Sequence, residues 1–322
     1  MKLAFLFPGQ GAQKVGMGRA LADAHPLARE TFAEADRALG FELSRLCWEG
    51  PADELKKSVN TQPALLTHSV AAWRLLDAAG VTPAYTAGHS LGEYSACVAA
   101  GALAFADALR LVRERGRLMY EAGLARPGAM AAILGLATAQ VEEACTQAKD
   151  AGIVVAANLN APGQVVISGE VAAVDKACEA AKALGAKRAI KLEVSGAFHS
   201  PLMAPAAEGL NRALDAVTVH DPRCPVVANV SAEPNGDAAA IVASLRAQLL
   251  GAVRWEDSVR RMAADDVTFV ELGTGAVLKG LLRSIAPDSK ALNVDDPDSL
   301  QATLAALGVA VPAAGATDGG AR

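Results

Sequence analysis

The chain has 322 residues, 52% hydrophobic and only 4% aromatic, with a formal net charge of −5. A chain of this size buries a large core and fits one big domain or two unequal ones. No basic run prepares it for nucleic acid, and no apolar stretch approaches the ~20 residues of a membrane span. Five cysteines, Cys47, Cys97, Cys145, Cys178 and Cys224, are odd in number, far apart and without a CxxC pair. They read as small core residues in a reducing, cytoplasmic compartment, neither a disulfide framework nor a metal site.

Leu3 to Phe7 reads as a first buried strand, too short an apolar run for a signal peptide. His25 to Leu39 follows as helix, then Gln62 to Ala79 as a long amphipathic helix after Pro63. Val81 to Ala87 is strand-like, and Glu93 to Ala100 and Phe105 to Ala122 are helical. Strands alternating with helices predict an α/β, hydrolase-like domain with a parallel sheet. From about 128 the pattern changes: strand from Ala129 to Leu136, helix from Ala139 to Asp150, strands Val154 to Leu159 and Gln164 to Ser168, helix Val171 to Leu184, strand Ala189 to Val194. This βαββαβ order predicts a ferredoxin-like small domain, 128–195, inserted into a large domain made of 1–127 and 196–310. The large domain resumes with strands Val226 to Val230 and Val267 to Glu271 and helices at 203–216, 238–250 and 255–264. Residues 311–322, rich in Gly and Ala, read as a disordered tail.

Gly88-His89-Ser90-Leu91-Gly92 sits where a strand turns into a helix. Glycines allow a sharp turn, the hydroxyl is presented on its tip, and the helix amino terminus favours nearby negative charge. Ser90 is thus a candidate nucleophile, the alternative being a serine that merely caps the helix. A serine needs a base. His25 and His220 stand beside prolines or turns, His68 lies within a helix, and His89 is Ser90's neighbour and points to the other face. His199, where the strand ending at Val194 gives way to a new helix, remains, in the kind of loop that carries chemistry in such folds.

Arg115 falls on the apolar stripe of its helix, four residues after Leu111 and three before Leu118. A guanidinium pointing inward keeps its charge and needs an anion, either a buried Asp or Glu or the carboxylate of a substrate. Phe7-Pro8-Gly9-Gln10-Gly11 after the first strand is not a GxGxxG loop. It fits a turn that brings backbone close to a reacting carbonyl, an oxyanion donor together with the amide after the nucleophile.

Taken together, Phe7-Pro8-Gly9-Gln10-Gly11, Gly88-His89-Ser90-Leu91-Gly92-Glu93, Arg115, Asn158-Leu159-Asn160-Ala161-Pro162-Gly163-Gln164, Ala197-Phe198-His199-Ser200 and Gln248 resemble, in order, the malonyl-CoA:acyl carrier protein transacylases, over essentially residues 1–310. The resemblance implies Ser90 as nucleophile, His199 as base, Gln10 with the Leu91 amide as oxyanion site, and Gln248 orienting the histidine through a carbonyl. It implies Arg115 as a clamp on the malonyl carboxylate, with Asn160 and Phe198 also contacting substrate. Phe198 would fill the space of an α-methyl group. The implied reaction is a ping-pong transfer from malonyl-CoA, through a malonyl-serine ester, to the phosphopantetheine thiol of acyl carrier protein, by a monomer with no metal or other cofactor. Lys187, Arg188 and Lys191 are candidate contacts for an acidic carrier protein. The competing classes are a serine hydrolase, which would carry an HGGG-like loop absent here, and a carrier-binding module without catalysis.

Overall fold

The first strand, β1 (Lys2–Phe7), is apolar at every position after Lys2 because both of its faces are covered. Leu3, Phe5 and Phe7 point into one core, Ala4 and Leu6 into another on the opposite face, with the period of two that a strand imposes. A computed structural model describes residues 1–309; the tail expected at 311–322 lies outside them. The remaining strands are β2 (Tyr85–Gly88), β3 (Gly128–Leu134), β4 (Val154–Ala161), β5 (Gln164–Glu170), β6 (Arg188–Lys191), β7 (Val226–Val227), β8 (Pro234–Asn235), β9 (Val267–Leu272) and β10 (Ala291–Val294).

The large sheet has the order β10-β9-β1-β2-β7-β8, parallel throughout except for β8, which returns antiparallel along β7. Phe7 pairs with Gly88, so β1 and β2 end side by side. The turn after β1 and the turn after β2 therefore meet at the carboxyl edge of the sheet, the edge where open α/β folds bind ligands.

The second sheet, in the order β4-β5-β3-β6, is wholly antiparallel and packs two helices, Thr138–Gln147 and Val171–Ala183, over its own core around Ile133, Val141, Val165 and Ala177. That order is the ferredoxin-like one. Its other face joins the main core through Met130, Ala157 and Val166, and an isolated bridge from Asn158 to Val253 ties β4 to the large unit.

Several expected elements shift. The long helix spans Ser58–Ala78, with Pro63 inside it, and is buried on nearly all sides instead of amphipathic. It is the central helix of one layer, wrapped by Pro26–Leu39 and Phe105–Ala125, so no face is left for solvent. The last small-domain strand stops at Lys191: the Leu192 amide makes a last bond to Met130 O, and a local turn from Val194 N to Leu192 O then carries the chain away from the ladder. β7 stops at Val227, because Ala228 starts a turn closed by the amide of Ala232. β10 and the helices Val277–Ile285 and Pro297–Leu307 were not anticipated. The first of these helices is capped by a carboxylate from another element, Glu271 of β9, which accepts from the amides of Leu278 and Lys279.

Candidate active site

Ser90 has φ 51°, the left-handed conformation that non-glycine residues enter at a cost of about 1–3 kcal/mol. The turn closes so tightly that a Cβ on Gly88 would lie 1.9 Å from the Gly92 carbonyl carbon, and one on Gly92 would lie 2.0 Å from Phe7 O. Only glycine fits either position. Asn229, in the turn that follows β7, holds the Ser90 turn: its Oδ1 accepts from Ser90 N at 2.7 Å and its Nδ2 donates to Gly88 O at 2.7 Å. The Leu91 amide, at the start of the Gly92–Ala99 helix, donates to nothing among the described residues, and neither does the Gln10 amide.

Ser90 Oγ donates to His199 Nε2 at 2.7 Å. His199 is also left-handed, with φ 55°, and 3% exposed. Its Nδ1–H donates to two main-chain carbonyls, Gln248 O at 3.0 Å and Gly251 O at 3.2 Å. Those two acceptors assign the proton to Nδ1 and leave the Nε2 lone pair facing the serine. Burial, and then the Arg115 charge, lower the His199 pKa to about 3, so the ring is a neutral base.

Arg115 is 1% exposed. Its Nη1 donates to Gln62 Oε1 at 2.9 Å; its Nη2 donates to Gln248 Oε1 at 3.0 Å and to Ser90 Oγ at 3.1 Å; its Nε has no partner among the described residues. The Tyr94 ring lies beneath it, 5.5 Å from its guanidinium carbon. Whereas Arg110 and Arg117 on the same helix pair with Asp107 and Glu114, Arg115 has no carboxylate partner among the described residues. Gln248 thus does two jobs: its main chain orients His199, while its side chain links Arg115 to Ser90 O and to the buried Glu93.

Ser90 and His199 open onto a cavity of about 360 Å³. Met119, Met130, Val166 and Phe198 form its apolar wall, Gln10 and Gly11 one rim, and Leu192, Glu193 and Val194 another. The Gln10 side chain donates to Ser58 Oγ at 2.9 Å, while the residue lines the cavity that Ser90 also lines. Asn160 does not line the cavity; its Oδ1 bonds His89 Nε2 at 2.8 Å, and Asn158, with an unpartnered Oδ1, lines it instead. Irregular register in β4 between Ala156 and Asn158, and again between Leu159 and Ala161, decides which asparagine faces which way.

Lys187, Arg188 and Lys191 are exposed on and beside the edge strand β6, outside the cavity lining. Lys191 is already paired with Asp175 at 2.5 Å. Lys56 is the basic residue that lines the cavity, and the sequence reading missed it. It also missed Gln62, Asn229 and the partnership of Glu93 with Gln248. A glutamine directly before Pro63, in the first turns of a helix that packs on nearly all sides, could have flagged Gln62; nothing local distinguishes Asn229. All five cysteines are free, no group of three or more metal-ligating side chains gathers among the described residues, and no described helix is long and apolar enough to cross a membrane.

The sequence matches the acyl transferase domain family over residues 4–291. It is 49% identical over 308 residues to the malonyl CoA-acyl carrier protein transacylase of Bacillus subtilis, covering 95% of this chain and 97% of that one. Among solved structures, the acyl carrier protein S-malonyltransferase of Vibrio cholerae superposes with a TM-score of 0.91 at 43% identity, covering 94% of this chain and 100% of that one. A malonyl-transacylase solved in complex with its type II PKS acyl-carrier protein superposes with a TM-score of 0.92 at 44% identity, covering 95% and 100%.

Proposed function

This chain belongs to the acyl transferase domain family, and from that premise we propose that it transfers the malonyl group of malonyl-CoA to acyl carrier protein. It is an acyltransferase, with acyl carrier protein as its partner. The observation that carries the choice of acyl group is Arg115: a buried guanidinium without a carboxylate partner, 3.1 Å from Ser90 Oγ, suits an acyl group that ends in a free carboxylate.

In this reading the malonyl carboxylate takes the guanidinium, and the thioester oxygen faces the unpartnered amides of Leu91 and Gln10. Ser90 Oγ attacks the carbonyl carbon while His199 Nε2 accepts its proton; the intermediate collapses, the C–S bond breaks, and the proton passes to the departing coenzyme A sulfur. The phosphopantetheine thiol then gives its proton to His199 and attacks the ester, and the proton returns to Ser90 Oγ. Asn158, with its free Oδ1, takes the substrate contact expected of Asn160.

Residues 128–195 act as an inserted small domain, a division supported by its separate sheet and core. Its edge offers Lys187 and Arg188 to the carrier protein. Ser90, His199 and Arg115 all come from one chain, which fits a monomer, and five free thiols fit a cytoplasmic setting. Intact mass after mixing with malonyl-CoA tests the reading: a gain of one malonyl group, lost again on adding holo carrier protein, is expected. Release of free malonate at full rate without carrier protein would make the chain a hydrolase.

A further inference from the structure

Glu93 follows the nucleophile by three residues and is 1% exposed. Its Oε2 accepts from Gln248 Nε2 at 2.7 Å and from Asn229 N at 3.3 Å. The other end of the same Gln248 amide, Oε1, accepts from Arg115 at 3.0 Å. An amide between a carboxylate and a guanidinium has one workable orientation, with its NH2 toward the carboxylate and its oxygen toward the guanidinium. Arg115, Gln248 and Glu93 therefore form a relay in which one amide joins the guanidinium to the carboxyl group in the same dry site, without direct contact between the two.

A malonyl carboxylate docking on Arg115 would leave two carboxylates sharing one buried guanidinium, which cannot both stay ionised cheaply. We propose that Glu93 is the resting counter-charge of Arg115 and takes up one proton from solvent when the malonyl carboxylate loads, so that the site has the same net charge empty and malonylated. The inference rests on the malonyl-transfer reading above.

The surroundings of Glu93 support this assignment. Tyr94 and Cys97 on its own helix are kept neutral by burial, Tyr94 being pushed up to about 12. His199, in the facing loop, is neutral, Asn229 and Gln248 carry no charge, and Arg115 is the charged group acting on Glu93 from the neighbouring helix. Burial raises Glu93 itself to about 7, against weaker stabilisation of the carboxylate by Gln248, Asn229 and Arg115. A second negative charge pushes it further in the same direction. Glu93 touches no reacting atom, so its part is charge balance and positioning.

The test counts protons per malonyl group loaded, by indicator absorbance in weak buffer at pH about 8, on wild type and Glu93→Gln, with intact mass giving the malonyl occupancy of each. Both proteins release the same coenzyme A thiol, so the difference isolates Glu93. Wild type should take up close to one proton more per malonyl than the variant, and equal counts would overturn the proposal. Should Glu93→Gln fail to fold or load, wild type alone decides. Its loading equilibrium with malonyl-CoA and coenzyme A should weaken by up to about tenfold per pH unit between about pH 7 and 8, below the range of about 8.5 in which the released thiol itself ionises, and a flat profile in that window would overturn the proposal. A wild type that gains no malonyl mass would instead sink the activity reading, and this inference with it.

Discussion

Nη2 of Arg115 lies 3.1 Å from Oγ of Ser90, so the buried guanidinium and the serine hydroxyl share one hydrogen bond. A substrate carboxylate that takes the guanidinium must also release the serine oxygen for attack. Under the proposed reading, substrate recognition and release of the serine oxygen would thereby be coupled, and an acyl group without a carboxylate would forgo both.

Arg115→Ala should lower kcat/KM for malonyl transfer by roughly 2–5 kcal/mol, the usual loss when one member of a buried charged pair is removed. Acetyl transfer should fall much less or rise. Steady-state rates with both acyl-CoA donors check this. Equal losses would make the arginine a structural residue.

Ser90→Ala should abolish covalent malonylation, since it removes the hydroxyl that forms the ester. His199→Ala should still acylate, about 10²–10⁴-fold more slowly, because a general base only assists the attack. Rapid-quench mass spectrometry reads both, and an alanine variant at position 90 that malonylates fully would remove Ser90 from its role.

The acid side of the pH profile follows from the dry histidine. With His199 lowered to about 3, the malonylation rate should not fall as pH drops through the ordinary histidine value of about 6.5. The unfolded chain protonates this histidine near that value and the folded protein does so near 3, so the unfolded state binds more protons between them. His199 therefore contributes stability at neutral pH that is lost as pH falls through that window. Glu93, raised to about 7, acts oppositely: its protonated form favours the fold, and that contribution fades as pH rises from its unfolded value toward 7. Chemical denaturation of wild type and His199→Ala across the acid range should show a shallower acid loss in the variant.

Phe198 lies in the cavity wall next to the base. Wild type should prefer malonyl over methylmalonyl by tens to a few hundredfold, since one added carbon is worth about 1–3 kcal/mol, and Phe198→Ser should narrow that ratio. A ratio unchanged by the substitution would place the selecting contact elsewhere, with Met119 and Met130 the next residues to vary.

Carrier-protein affinity should weaken as salt rises and as Lys187 or Arg188 is reversed to Glu. Lys191, already satisfied by Asp175, should matter less than either. Binding insensitive to salt and to all three reversals would move the docking surface away from β6.

The sequence by itself determined what short-range geometry encodes. Glycines two residues either side of Ser90 dictate a turn that no side chain permits, helical spacing sends Arg115 inward, and the βαββαβ order carries the second sheet. The tertiary structure decided what those residues meet. Gln62, Asn229 and Gln248 reach the site from 53, 139 and 133 residues away along the chain from their partners: Gln62 through the packing of the Ser58–Ala78 helix on the Phe105–Ala125 helix, Asn229 through the parallel pairing of β7 with β2, and Gln248 at the end of the Ala238–Gln248 helix. The register irregularities of β4 turned Asn158, not Asn160, to the cavity, and the early end of β6 released 192–194 to wall it. A local pattern fixes which way a side chain leaves its own helix or strand. Which group it finds there depends on strand order and register, set by the packing of the whole core.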